Sequence, residues 1–351
     1  MKKELLMGTA LVSTLGAASV AEAVSMSMSG NHQVGMEFDS PSGGTDTNAQ
    51  KNDNNFTVSL SETTDGGMTI SSSFKLMDEG SASGAVSGDM DAGLTLAFTD
   101  GSKLDVINAG NASGSHAVSI PGSAGAEGVT VTSSNVAPTG LDFATDSTVF
   151  GVEYHTAADF LADGLKLSVS ASTDSGAAAI NTYRVDSHYA IGATYVSDLG
   201  DTAITIGAGI SQADGSKRET AVVNDTNGSH IGLSAVTGDL TIAVGFADGE
   251  KAGVSDNGSD EYTGDVVAAG VKYVSGDLTF NVGFANGSAT DNTIGSTGGN
   301  ADSTDETSAS VSYAVAAGVT AILGYTVVEG EDDGVATDDG SAWYIGANMS
   351  F

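Results

Sequence analysis

The chain of 351 residues carries 45 Asp and Glu against 11 Lys and Arg, which gives a formal net charge of -34. A field of that sign repels phosphate, so nucleic acid is excluded as a partner. The sequence has no cysteine, which excludes disulfide scaffolds, thiolate metal sites and cysteine nucleophiles. Its 48 glycines, with much Ser, Thr and Asp and few Leu, Lys, Glu and Arg, favour β structure.

The first 23 residues predict a secretory signal peptide. Lys2 and Lys3 form a basic start, residues 5–20 are mostly apolar, and residues 21–23 read A-E-A, which fits a signal-peptidase site. We expect cleavage before Val24 and a single mature domain, residues 24–351. No later stretch approaches the roughly 18 apolar residues that a transmembrane helix needs.

From residue 24 onward, apolar and polar residues alternate in segments of about ten residues, the length of a tilted membrane-spanning strand. One segment, GDLTIAVGFADG from Gly238, is nearly repeated 38 residues later as GDLTFNVGFANG from Gly276. Sixteen segments show the pattern: 25–38, 54–62, 67–77, 92–99, 101–108, 147–156, 163–173, 186–197, 200–211, 227–236, 238–247, 264–274, 276–286, 305–315, 318–329 and 340–351.

The connections between these segments alternate in length. Short connections include 63–66, 100, 198–199, 237 and 275, and long ones include 39–53, 109–146, 212–226, 248–263, 287–304 and 330–339. A barrel with tight turns at one rim and loops at the other produces this rhythm. We therefore predict an all-β fold, a 16-stranded antiparallel transmembrane β-barrel. A barrel of that width encloses water rather than a packed core.

The last segment carries a separate signal. Trp343, Ile345, Met349 and the final residue Phe351 share one face, and small or polar residues occupy the other. An aromatic last residue after such a stripe resembles the assembly signal of bacterial outer-membrane barrels. The resemblance implies contact with outer-membrane lipid and recognition by the barrel-assembly machinery. The alternative is an ordinary edge strand that ends in Phe.

Residues 56–75, FTVSLSETTDGGMTISSSFK, are similar to the strand, T-T-D-x-G turn, strand and S-F-K ending of alphaproteobacterial general porins. The likeness covers essentially the whole mature sequence. It implies a homotrimer in the cell outer membrane that passes small hydrophilic solutes and ions. It also implies that the third long loop, the segment after Asn108, folds inward and narrows the channel.

Charged residues on the predicted wall and in this loop are the candidates for lining the pore. Alternation turns six wall residues away from the apolar face: Lys75, Lys103, Asp105, Glu153, Lys166 and Lys272. The loop candidates are Glu127, Asp142 and Asp146. Porins of this type oppose loop carboxylates with wall arginines, whereas this chain has only Arg184 and Arg218, both near loops. The acidic excess predicts a channel that prefers cations.

Enzymatic chemistry finds little support in the sequence. The five histidines are scattered, and no nucleophile elbow or triad spacing occurs, so we expect no catalysis and no cofactor. Acids within 329–339 offer ligands for Ca²⁺, but no EF-hand pattern surrounds them, and solvated charge is the preferred interpretation.

Two other functions stay open. One is an exported adhesin or a Ca²⁺-stabilised β-solenoid, which would need a short fixed repeat that the sequence lacks. The other is a receptor or structural barrel with a closed lumen.

Overall fold

The computed structural model describes residues 24–41, 44–80, 93–106, 111–122, 150–173, 185–215, 217–218, 221–222, 226–252, 261–291, 300–332, 335–336 and 339–351. The predicted signal peptide lies outside the described residues. Within these ranges no helix is long and apolar enough to cross a membrane.

Sixteen antiparallel strands form one sheet, which confirms the predicted number and order. They are β1 Ser25–Pro41, β2 Thr47–Thr63, β3 Thr69–Gly80, β4 Gly93–Ala97, β5 Lys103–Val106, β6 Phe150–His155, β7 Leu165–Thr173, β8 Val185–Leu199, β9 Thr202–Gly215, β10 Thr226–Thr237, β11 Leu240–Ala252, β12 Glu261–Ser275, β13 Leu278–Asp291, β14 Asn300–Ala316, β15 Val319–Asp332 and β16 Gly340–Ser350. Two-residue pieces at Lys217–Arg218, Ala221–Val222 and Val335–Ala336 extend the long connections.

The sheet closes on itself. Strand β1 pairs with β2 on one side and with β16 on the other, where Phe38 lies opposite Trp343. Each of the other strands pairs with the next along the chain, as in β11 with β12 and β12 with β13. Closure gives every strand two neighbours, so the barrel has no free edge that could pair with another chain.

The two faces of the barrel differ sharply in chemistry. In β11, Ile242, Val244 and Phe246 are exposed, whereas Ala243 and Ala247 between them are fully buried. The same alternation continues around the sheet, so the exposed apolar residues form a continuous outer surface. An apolar surface of this extent is suited to lipid rather than to water. The opposite face therefore points into the barrel.

Exposed aromatic side chains mark both rims of the apolar surface. Those nearer the long connections are Phe38, Tyr189, Phe246, Phe284 and Trp343, and those nearer the short turns are Tyr195, Tyr273, Phe280, Tyr313 and Phe351. Two such belts are typical of barrels that cross a membrane, because aromatic rings favour the interface between lipid and water.

Two of the tight turns begin one residue later than predicted. They are the Gly-Asp pairs 238–239 and 276–277, in which Gly238 and Gly276 have φ values of +57° and +61°. Glycine adopts this left-handed conformation without strain, and a two-residue hairpin needs it. The near-copies found in the sequence thus begin at equivalent turns.

Several predicted long connections are too long, because the strands extend further. The first one spans 42–46 rather than 39–53, and those after β11 and β13 span 253–260 and 292–299 rather than 248–263 and 287–304. In the latter two, the added strand residues lie beyond the lipid zone, where both faces meet water, so apolar alternation stops while backbone pairing continues. Asn286, for example, donates a hydrogen bond of 2.7 Å to Asp305 on the outer face of an extended hairpin.

Candidate functional site in the barrel lumen

The inward face of β2 to β5 is a polar wall. Hydroxyl side chains from β2, β3 and β4 line one cavity of about 510 Å³, together with Lys75 and Asp105. The hydroxyl residues on this wall are Thr57, Ser59, Ser61, Ser71, Ser73 and Thr95. Such a surface can exchange hydrogen bonds with water or with a hydrophilic solute, because each hydroxyl both donates and accepts.

Three of the predicted pore-lining residues meet in one cluster at β5 and β6. Lys103 Nζ lies 2.9 Å from Asp105 Oδ2, and Glu153 is the cross-strand neighbour of Asp105. His155 joins them, with its Nε2 atom 2.9 Å from Asp105 Oδ2 and 3.3 Å from Glu153 Oε1. The Thr95 hydroxyl also donates to Asp105. The cluster therefore combines two carboxylates, an ammonium group and an imidazole.

The remaining candidates are spread around the barrel. Lys75 shares the hydroxyl-lined cavity with Asp105, and Lys166 lies on the inward face of β7, two residues before Ser168. Lys272 is exposed on the inward face of β12, six strands along from β6. The three loop acids Glu127, Asp142 and Asp146 lie outside the described residues.

Residues 111–122, which we call the docked segment, run across the inward face from β7 to β13. At one end the Ala112 N–H donates to Ser170 Oγ of β7 at 2.9 Å, and at the other Gly122 lies against Gly283 of β13. Between them two apolar side chains of the segment pack on small wall residues. This buried cluster consists of Val118, Ile120, Ala243, Ala268 and Ala285. The described start of the third long connection is therefore inside the barrel.

A row of glycines makes this close approach geometrically feasible. A Cβ atom at any of six inward-facing wall glycines would lie 1.9–2.7 Å from an atom of the docked segment. These glycines are Gly192, Gly207, Gly209, Gly232, Gly270 and Gly283. No side chain fits at such distances, and at four of these glycines the nearest atom of the segment is a backbone carbonyl oxygen: Gly192, Gly207, Gly270 and Gly283.

His116 fastens the segment at its single 3₁₀ turn, Gly114–His116. Its Nδ1 atom lies 2.6 Å from Thr194 Oγ1 and its Nε2 atom 2.7 Å from Ser168 Oγ. His230 of β10 donates from Nε2 to the Ser113 carbonyl oxygen at 2.9 Å. Burial, followed by the positive charge of Lys166, lowers the pKa of His116 to about 4, so this loop ring is neutral at neutral pH.

Sequence reasoning missed the histidines. His116, His155, His188 and His230 are all buried, and they lie on the inward wall or on the docked segment. A signal was available for His155, since it follows Glu153 by two residues and so shares its predicted inward face. For His116 no signal existed, because a loop has no periodicity to read. His32 differs from the rest, since it faces outward beside Asn54.

Among the described residues no group of three or more His, Asp or Glu is arranged to hold a metal ion. Two acids of the acidic stretch considered for Ca²⁺, Asp333 and Asp338, lie outside the described residues. Glu329 and Glu331 belong to the extended end of β15.

A closed barrel with an apolar exterior, a charged and hydroxylated interior and a chain segment on its inner wall defines a membrane-spanning channel of the porin class. A family model described as Gram-negative porin matches residues 8–351, so the chain belongs to the Gram-negative porin family, and the predicted resemblance is confirmed. No curated protein sequence matches the chain.

Solved structures with the same fold come from several bacteria. The anion-selective porin from Comamonas acidovorans is 11% identical with a TM-score of 0.66, covering 94% of this chain and 100% of that one. In-vitro folded OmpT of Vibrio cholerae, in trimer form, is 12% identical with a TM-score of 0.62 and covers 94% and 100%. A mutant of the Rh. blastica porin is 17% identical with a TM-score of 0.61 and covers 93% and 100%.

Proposed function

We propose that this protein is an outer-membrane porin, a passive, water-filled channel for small hydrophilic solutes and ions. The observation that carries the proposal is the contrast between the two faces of one closed sheet. Exposed apolar residues such as Val244 cover the outside, while Lys103, Asp105 and Glu153 face the inside. Charged groups inside a lipid-bound barrel need water, and a sixteen-strand barrel is wide enough to hold it.

Liposome swelling tests this function. Vesicles containing the mature protein are diluted into iso-osmotic sugars of increasing size, with protein-free vesicles as the control. A channel gives swelling rates that fall steadily as the sugar becomes larger. A receptor or structural barrel with a closed lumen gives the rate of the protein-free vesicles for every sugar.

The third loop is proposed to form the constriction. The docked segment lies on the inward face from β7 to β13 and ends with Gly122 against Gly283. This position supports the proposal, in which Glu127, Asp142 and Asp146 of the same loop face the permeating ions.

Preference for cations is a further part of the proposal. Without residues 1–23 the chain keeps 43 acidic and 9 basic residues. Acidic charge in a cleft with low-dielectric walls concentrates cations. The structure of similar fold from Comamonas acidovorans is described as anion-selective, so the fold itself does not set the sign of selectivity. Side chains at the narrowest part of the lumen must decide it.

Catalysis is not part of the proposed function, although one group of side chains resembles the catalytic triad of a hydrolase. Ser168, His155 and Asp105 are joined by hydrogen bonds in the order of a hydrolase triad, with the two ring nitrogens exchanged. Ser168 is only 1% exposed, and its Oγ atom also contacts His116. The hydroxyl is therefore inaccessible to a substrate.

We propose a homotrimer whose contact surface includes the outer face of β2. On this face of β2, four amide side chains stand where apolar residues are expected: Asn48, Gln50, Asn52 and Asn54. Their neighbours on β1 are three apolar residues and His32. His32 and Asn54 also contact each other directly. Amides turned toward lipid tails lose their hydrogen bonds with water, which is costly. Asn54 Nδ2 donates to Asn52 Oδ1 at 3.2 Å, and a second copy of the chain would offer further partners to these amides. The OmpT structure of similar fold is a trimer.

Substitution of one of these four amides tests the trimer surface. Asn54→Ala should lower the temperature at which trimers dissociate to folded monomers in detergent. Asn227→Ala on β10, half the barrel away, is the matched control and should leave that temperature unchanged. Equal dissociation temperatures for both variants and the unmodified protein would place the contact elsewhere.

Export is proposed to depend on both ends of the chain. Strand β1 begins at Ser25, directly after the predicted cleavage site, so removal of residues 1–23 would leave the barrel intact. Mass spectrometry of the protein from outer membranes should give Val24 as its first residue. At the other end, Phe351 is proposed to be recognised by the barrel-assembly machinery.

A further inference from the structure

A chain of four hydrogen bonds connects the charged cluster of Lys103, Asp105, Glu153 and His155 to the docked segment. Asp105 Oδ2 is 2.9 Å from His155 Nε2, and His155 Nδ1 is 2.7 Å from Ser168 Oγ. Ser168 Oγ is 2.7 Å from His116 Nε2, and His116 Nδ1 is 2.6 Å from Thr194 Oγ1. We call these five residues the relay. His116, Ser168 and His155 are each less than 5% exposed, so water does not compete for these bonds.

Counting hydrogens fixes the direction of every bond in the relay. Neutral His116, neutral His155, Ser168 and Thr194 each supply one hydrogen, and the carboxylate of Asp105 supplies none. Lys103 at 2.9 Å holds that carboxylate in its charged form. Four hydrogens must then serve four bonds, so each group donates toward Asp105. Both rings consequently carry their hydrogen on Nε2.

We propose that Asp105 is a positioning residue: acting through His155 and Ser168, it selects the tautomer of His116 that holds the docked segment on the wall. We further propose that the relay takes up one proton without losing a bond. The relay itself does not depend on the proposed function. Only an effect of the docked segment on solute flow rests on it, because the segment lies in the path of solutes only if the lumen is an open channel.

Proton uptake reverses the relay. The Ser168 hydrogen moves to His155 Nδ1, the His116 hydrogen on Nε2 moves to Ser168 Oγ, and the Thr194 hydrogen moves to His116 Nδ1. Thr194 then regains a hydrogen from a hydronium ion in the lumen. The net change is one proton gained and one positive charge on His155. All four bonds survive, three of them with donor and acceptor exchanged, and His116 now carries its hydrogen on Nδ1.

His155 is the group suited to carry the charge. Burial opposes a cationic ring at this position, as do Lys103 and Lys166, but the carboxylates of Asp105 and Glu153, at 2.9 and 3.3 Å, favour one. His116 contacts hydroxyl partners, and the charged groups that act on it are Lys166, His155 and His230, all of which disfavour a second cation. The docked segment therefore keeps the hydrogen bonds of His116 to Ser168 and Thr194 when His155 becomes charged.

Nuclear magnetic resonance of ¹⁵N-histidine-labelled protein in lipid nanodiscs tests the inference, because ring nitrogen shifts distinguish both tautomers and the cation. His116→Gln and His155→Gln assign the signals. At pH 8 we expect His116 as the Nε2–H tautomer. As the pH falls, the cation signal of His155 should appear together with the Nδ1–H tautomer of His116.

Substitutions at the carboxylates separate a positioning role from a structural one. Asp105→Asn ends the relay with a group that both donates and accepts, so His116 should become a mixture of tautomers at pH 8. Asp105→Glu should restore the Nε2–H form. Glu153→Gln should keep that tautomer at pH 8 but shift the titration of His155 to lower pH. Folding of each variant is checked by its heat-modifiable band in electrophoresis.

The inference is overturned if unmodified protein shows His116 as the Nδ1–H tautomer at pH 8, or if His155 becomes charged while the tautomer of His116 does not change. Apart from the two histidine variants that assign the signals, neither observation needs a substituted protein to fold. The spectra also do not depend on conduction. A protein with the expected tautomers but no solute flux would refute the channel and leave the relay standing.

Discussion

Gly30 and Phe351 exchange two backbone hydrogen bonds, with N···O distances of 3.2 and 3.1 Å. The pair completes the contact between β1 and the end of β16. The Phe351 ring also approaches Phe56 of β2, with 6.0 Å between ring centroids. The last residue of the chain thus touches both of the first two strands while 73% of its surface stays exposed at the short-turn rim.

Removal of Phe351 should block assembly in the outer membrane. The deletion loses both bonds to Gly30 as well as the exposed ring, and Phe351→Asp keeps the backbone but places a charge at the lipid boundary. Phe351→Trp retains an aromatic ring and is the matched control. The heat-modifiable trimer band from outer membranes should vanish for the first two variants and persist for the third. Normal trimer levels for the truncated chain would contradict this role.

Gly283→Ala should displace the docked segment. Its Cβ atom would lie 1.9 Å from the Gly122 carbonyl oxygen, and overpacking of this kind costs about 1–3 kcal/mol. Val282→Ala changes the neighbouring residue, whose side chain is 53% exposed on the outer face, and serves as the control. Single-channel conductance should change for the glycine variant alone, together with a lower unfolding temperature. Unchanged conductance in Gly283→Ala would mean that the segment does not limit the pore.

The pH dependence of stability should carry a contribution from His116. Burial lowers its pKa from 6.5 to about 4, so between these values the unfolded chain binds the additional proton. The free energy of unfolding therefore rises with pH across this window, and the contribution is lost as pH falls from 6.5 toward 4. Urea unfolding in lipid should show a steeper pH dependence for the unmodified protein than for His116→Gln. Parallel curves would show that the ring titrates normally in the folded state.

Selectivity should favour cations and should fade at high salt. The Debye length is about 8 Å at physiological ionic strength, so only charges close to the permeating ion act strongly. Glu153→Gln should weaken the preference, whereas Lys103→Gln on the adjacent strand should strengthen it. The zero-current potential in a KCl gradient measures both effects. A potential of the anion-selective sign at low salt would show that the wall lysines govern the pore.

The strands were predictable because lipid imposes a strict pattern. Where the outer face meets lipid, its residues must be compatible with hydrocarbon, so Ile242, Val244 and Phe246 alternate with small residues, and the repeat at Gly276 follows the same rule. Outside the lipid zone this constraint ends. The extension of β13 and β14 into their long connection therefore left no apolar trace in the sequence.

The lumen was less predictable for a different reason. A glycine that faces water and a glycine that faces a docked backbone look identical in sequence, so Gly270 and Gly283 gave no sign of the segment that covers them. Similarly, His116 and His155 are 39 positions apart, and both contact Ser168 Oγ because the docked segment lies on the inner wall. Charged residues at inward positions could be placed by alternation, but their partners required the closed barrel.

Single-channel recording in a planar lipid bilayer tests the central claim most directly. The purified trimer should insert in discrete steps of equal conductance. The current in each step should be proportional to voltage and should scale with the conductivity of the bathing KCl solution, as expected for a water-filled passage. Folded trimers that insert into the bilayer but give no discrete ohmic steps would contradict an open channel.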